Sequence, residues 1–176
     1  MLTVKLGDMG RITARLRREE RGQNLVELAL VLPVVLLLVF GIIDFARAFN
    51  YKDQTTQVAN ETARWFIVNQ LPTGNVNPTI QDYRDWAHNE LVSTELKNSA
   101  LAANIKVCFT DPAGVAKTTG VQSGDSVTVT IPASLTPITY ITKVVGINSL
   151  KLNGRATMRL ELTPTNPLFG TGDTGC

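Results

Sequence analysis

The chain has 176 residues, with 17 Lys and Arg against 15 Asp and Glu, one His and two Cys. The basic surplus lies in residues 1–22, where six basic residues face three acidic ones; the other 154 residues hold 11 basic and 12 acidic residues. A body without a basic excess argues against nucleic-acid binding, and two distant cysteines with one histidine make no metal set.

The chain opens with a basic leader carrying Lys5, Arg11, Arg15, Arg17, Arg18 and Arg21. Behind it, Leu28–Ile43 is a run of 16 residues without a charge, a Ser or a Thr. Leu25 and Val26 extend it on one side, and Phe45, Ala46, Ala48 and Phe49 on the other. A bilayer core of about 30 Å takes about 20 helical residues, and a run with no polar face suits no solvated helix. The surplus of Lys and Arg before the span predicts a single-pass protein with its N-terminus in the cytoplasm and everything after Phe49 outside. Pro33 removes one backbone donor and crowds the carbonyl of Ala29, so a kink is expected there.

Glu27 stands at the mouth of this span, where a carboxylate is costly unless paired or drawn to the interface. It has two readings. In one it reaches Arg21 or lipid headgroups. In the other the chain is cut between Gly22 and Gln23; the new α-amino group then lies one helical turn from Glu27, and the two charges neutralise each other within one chain or between neighbours.

These residues resemble the type IV pilin and pseudopilin class, with its short basic leader, Gly at the processing site, Glu at the fifth mature position and unbroken apolar helix; the matching residues are Gly22, Gln23 and Glu27. Gln23 departs from the Phe of many type IV pilins, which bears on methylation of the new terminus more than on cleavage. The closer resemblance is to the TadE-like family of the tight-adherence (Flp) pilus system, carried by Arg18–Pro33 and Phe40–Phe49, and more loosely by Ser126–Ile131, Leu135–Gly146 and Ala156–Glu161. It implies a minor pilin or pilin-like assembly protein of the bacterial cytoplasmic membrane, able to enter a surface pilus. Its implied partners are the membrane, a prepilin peptidase, other pilin-like subunits and the pilus assembly machinery.

Two other N-termini compete. Ala46-Arg47-Ala48 has the small-x-small form of a signal-peptidase site, which would release a soluble chain from Phe49; the long apolar run and Asp44 before the cut oppose it. Alternatively the leader is kept, and the protein is an unprocessed membrane-anchored binding module that recognises an envelope partner through residues 111–125 or 132–148.

No Pro or Gly interrupts Asp44–Leu71, and Phe45, Phe49, Val58, Ala59, Ala63, Phe66 and Ile67 form a rough helical stripe. One helix is therefore expected from Asn24 to Asn69, about 69 Å long, with middling propensity at Tyr51–Thr56 and an end at Pro72-Thr73-Gly74. Asp44 and Arg47 can pair on one helix face as an anchor at the outer membrane edge. Asn77 and Pro78 predict the cap and first turn of a second helix, about Pro78–Lys97, burying Ile80, Tyr83, Ala87 and Leu91.

Strands follow. Ile105, Val107 and Phe109 alternate with polar neighbours, as do Val127, Val129 and Ile131; the longest alternation joins Leu150, Leu152, Ala156, Met158, Leu160 and Leu162. Gly154 interrupts it as a bulge marker. Leu135–Gly146 reads as a short helix or a packed crossover.

The expected fold class is α+β: a long N-terminal helix, transmembrane then soluble, with a second helix packed on a small antiparallel sheet. Its segments are a leader (1–22), the membrane and extended helix (23–71), an extracytoplasmic head (72–163) and a Thr/Gly/Pro-rich, mobile tail (164–176). Cys108 and Cys176 can join in an oxidising compartment, or stay separate thiols. His88 reads as a helix-surface residue, and Asp82, Asp85, Glu90 and Glu95 as solvated helix charges. No nucleophile elbow, phosphate-cradling loop or H-E-x-x-H motif occurs. The expectation is therefore no enzyme, no cofactor and no small-molecule substrate.

Overall fold

The computed structural model describes residues 9–75, 78–137, 146 and 148–163, with side chains in the first helix from Gly22 onward. That helix, α1, runs Met9–Val68 and passes through Pro33. It starts earlier than the apolar pattern alone marks and does not break at Tyr51–Thr56. Two compact units divide it, one comprising residues 1–43 and the other 44–176.

In the first unit every described side chain, from Gly22 to Ile43, is exposed. The second unit holds the core. Its part of α1 buries Thr55, Val58, Ala59, Thr62, Ala63 and Phe66, spaced three and four apart on one face. The expected stripe is corrected at its start: Phe45 and Phe49 are 73% and 68% exposed, so they line no core. α1 ends where Asn69 takes a left-handed conformation (φ 52°) and Gln70 donates back to the Trp65 carbonyl.

The expected helix over residues 78–97 is two helices. α2 spans Ile80–Glu90 and α3 spans Thr94–Ser99. The cap of α2 is Thr79, not Asn77, which lies outside the described residues: the Thr79 hydroxyl accepts the Asp82 N–H while the Asp82 carboxylate accepts the Thr79 N–H, a full capping box. Leu91 then turns extended and Ser93 caps α3 by accepting the Leu96 N–H. Two strong local caps within 15 residues outweigh the continuous apolar phase. The anticipated buried face, Ile80, Tyr83, Ala87 and Leu91, is as expected. A single 3-10 turn, Ala102–Asn104, leads into the sheet.

Four antiparallel strands follow: β1 Lys106–Thr110, β2 Ala116–Lys117, β3 Ser126–Leu135 and β4 Leu150–Arg159, in the order β2-β1-β3-β4. The two-residue β2 inside the turn-rich segment gave no periodicity to read. β3 continues past Ile131 to Leu135, and β4 stops at Arg159, leaving Leu162 64% exposed. Most of the 135–146 segment, and the whole tail 164–176, lie outside the described residues. One sheet face is apolar, with Val107, Phe109, Val127, Val129, Ile131, Ala133 and Ala156 buried; the other carries the polar residues.

Gly154 is not a bulge. Pairing runs unbroken from Ser126↔Arg159 to Leu135↔Leu150, with Gly154 opposite Ile131. What requires glycine is the helix: a Cβ there would lie 2.3 Å from both the carbonyl carbon and the oxygen of Thr55. α1 crosses β4 backbone to backbone at this point, and the Lys52 ammonium donates to the Asn153 carbonyl beside it. At the core's centre Phe66 stacks on Tyr83 at 3.8 Å and meets Phe109 edge-on at 6.1 Å. Burial, then the nearby Asp82 charge, pushes the Tyr83 hydroxyl far above its ordinary value, so it stays a donor, to the Trp65 carbonyl at 3.3 Å.

Candidate functional site

Gly22, Gln23 and Glu27 all lie on α1 and are exposed. Gln23 and Glu27 are four apart, so they share one helix face. Nothing among the described residues lies within 4 Å of a Cβ built on Gly22, so no packing among them demands the residue. The Gly22–Gln23 peptide bond is helical, and a peptidase acting on it needs this turn opened.

Fifteen large apolar side chains from Leu25 to Ile43 are between 44% and 73% exposed. Each fully buried Leu, Val, Ile or Phe gains roughly 1.5–3 kcal/mol. Leaving the set in water therefore forfeits a few tens of kcal/mol, more than the net stability of about 5–15 kcal/mol of an ordinary protein. The helix is long and apolar enough to cross a membrane and stands near the N-terminus. What the arrangement can do is insert: into hydrocarbon, or among other such helices.

Directly after the span in sequence, a polar cluster forms within the second unit. Arg47 reaches Asp44 only loosely, at 3.8 Å, and binds Glu95 of α3 at 2.7 Å. The same Glu95 oxygen accepts the Tyr51 hydroxyl at 3.0 Å, and its other oxygen accepts the Thr136 hydroxyl at 3.1 Å. The Arg47 guanidinium also sits 5.7 Å from the Tyr51 ring centre. Asp44 is 5% exposed. The expected i,i+3 pair is thus the minor contact. Glu95 is no solvated helix charge but the acceptor joining α1, α3 and the segment after β3, and Asp82 is a cap. Sequence spacing could not find Glu95, because its partners lie 41 to 48 residues away.

A second ionic site fixes the turn before β3. Asp125 is 2% exposed, accepts Lys117 on both oxygens at 2.8 and 2.9 Å, and accepts the Gln122 N–H at 2.7 Å. Burial alone would raise its carboxyl, but the Lys117 and Gln122 hydrogen bonds and the Lys117 charge outweigh it and hold the group below its ordinary value.

His88 is half-buried and its Nε2 lies 3.1 Å from the Lys97 carbonyl, linking α2 to α3. Among the described residues no three His, Cys, Asp or Glu side chains gather as a metal-binding group. Cys108 lies on β1, facing away from the core and in register with Thr128 and, beyond it, Thr157, whose hydroxyls share a 2.8 Å hydrogen bond. Cys108 is not a free thiol; Cys176 lies outside the described residues.

No curated protein and no solved structure matches the chain. Residues 22–64, from the glycine of the junction through the apolar span and into the buried part of α1, match the family model described as TadE-like protein, the family that the residues of the junction resemble.

Proposed function

We propose that the protein is a pilin-like structural subunit or assembly protein of a tight-adherence pilus, held in the bacterial cytoplasmic membrane by residues 25–43 with its head outside. The observation that supports it is the exposed apolar helix inside a TadE-like match. A prepilin peptidase cuts between Gly22 and Gln23. The helix anchors the chain in lipid and, when extracted, packs against the helices of other pilin-like subunits and the assembly machinery. Glu27 sets the register by pairing with the amine that the cut creates. Cys108 and Cys176 are bonded to each other in this reading, tying the tail to the outer sheet face. Chemistry is left to the peptidase; this chain contributes packing.

Glu27→Ala tests the register role. The variant is expected to be cut and membrane-bound like the parent, with filament yield reduced at least tenfold; equal piliation would overturn that role. A non-reducing peptide map that shows Cys108 and Cys176 as separate thiols would remove the disulfide from the account.

The runner-up, an unprocessed membrane-anchored binding module, draws on one observation: the Gly22–Gln23 bond lies within a helix rather than an open loop. Retention of the leader in the presence of an active peptidase would favour it.

A further inference from the structure

The outer face of the sheet is one-sidedly basic. Lys151, Arg155 and Arg159 alternate along it on β4, and Lys106 on β1 shares a row with Thr130 and Arg155. All four are exposed. Among the described residues none is in an ion pair, and no Asp or Glu lies on the paired strand positions of this face. This contrasts with a body whose acidic residues slightly outnumber its basic ones.

The spacing is regular. Lys151, Arg155 and Arg159 are four residues apart, about 13 Å at each step and about 27 Å in all, and Lys106 lies two strands from Arg155, about 10 Å away. The residues between them are mostly polar, among them Ser126, Thr130, Ser134, Asn153 and Thr157, which donate and accept hydrogen bonds; Pro132 and the bonded Cys108 share the face. A protein partner would want a buried aromatic or aliphatic anchor, and a single-stranded nucleic acid would want aromatic platforms for its bases; this face has neither among its described residues, and the body has no basic excess to favour a duplex. A line of unneutralised cations set among hydroxyls fits a flexible polymer that carries spaced anions and many hydroxyls of its own.

We propose that this face binds an acidic polysaccharide, with Lys151, Arg155 and Arg159 engaging successive anionic groups and Lys106 flanking them. The four cations lie on strands of the head, beside the Cys108 to which the tail is tied in the proposed function, and do not depend on whether the leader is cut.

The full-length chain in detergent micelles, titrated with polygalacturonate at low salt, tests it. Binding is expected to weaken at least about tenfold between 50 and 200 mM salt as counterions compete. The double variant Lys151→Gln/Arg155→Gln should bind at least tenfold more weakly, while the equally charged control Arg64→Gln/Lys97→Gln stays within twofold of the parent and neutral dextran does not bind. Absence of polygalacturonate binding, or equal loss in both doubles, would overturn the proposal. So would tighter binding to an oligo-deoxythymidylate of matched charge. Unchanged binding with new aggregation of the β4 variant would also overturn it, marking the cations as guards of an exposed edge strand.

Discussion

Helix α1 has two halves that obey opposite rules. In the half that ends at Ile43, residues 25–43 are almost wholly apolar, yet their side chains are exposed. The half from Asp44 is far more polar, yet it supplies the core, and its innermost residues are small: Thr55, Ala59, Thr62 and Ala63 are all fully buried. Apolar content thus marks the half that is able to cross a membrane. Small residues on one stripe mark the half that lies against its own sheet, where Gly154 lets the two backbones meet.

The largest difference between the two halves is expected on truncation of a side chain. Phe66→Ala should cost the head about 3–5 kcal/mol, whereas Leu36→Ala, in the exposed half, should leave head stability within about 0.5 kcal/mol. Thermal unfolding of both variants in detergent checks this, and a comparable loss in each would abolish the distinction.

Next is the crossing point. Gly154→Ala places a Cβ against the Thr55 carbonyl, backbone that cannot swing aside, and should cost about 3 kcal/mol, lowering Tm by about 10 °C. A neutral outcome would mean that α1 is not seated on β4.

Smaller effects are expected from the polar contacts that hold the second half. Glu95→Ala leaves Arg47, Tyr51 and Thr136 without their acceptor and should cost about 1–3 kcal/mol. A double-mutant cycle with Arg47→Ala should recover a coupling of about 0.5–3 kcal/mol; strict additivity would mean that the pair contributes nothing.

The smallest effect is in pH. Because the Asp125 carboxyl is held below its ordinary value of 3.8 in the folded head, its contribution is complete above that value and is lost as pH falls through it and below. The parent's melting temperature should therefore drop more steeply on acidification from about pH 5 than that of Asp125→Asn, and parallel curves would remove Asp125 from the acid response.

The sequence made the large features legible because each rests on a long periodic signal. Sixteen residues without a polar atom in their side chains name a membrane-competent helix, and alternation through β1, β3 and β4 names a half-wet sheet. Where the signal was short or competed with local chemistry, it misled. Phe45 and Phe49 share the helical phase of Ala63 and Ile67, about five turns further on, yet they stay exposed because they precede the stretch of α1 that packs on the sheet. Leu91 continues the buried face of α2, which hid the break that Ser93 enforces two residues later. Gly154 showed only that a side chain was unwelcome; whether a bulge or a crossing helix forbade it depends on a contact 99 residues away in the chain. Glu95 likewise gets its meaning from partners that no local pattern brings near.

The proposed function turns on the junction of Gly22, Gln23 and Glu27. The direct test is the N-terminus of the mature protein, read by intact mass and N-terminal sequencing after co-expression with an active prepilin peptidase. The account predicts a chain that begins at Gln23. A chain that still begins at Met1, or one that begins at Phe49, would contradict it.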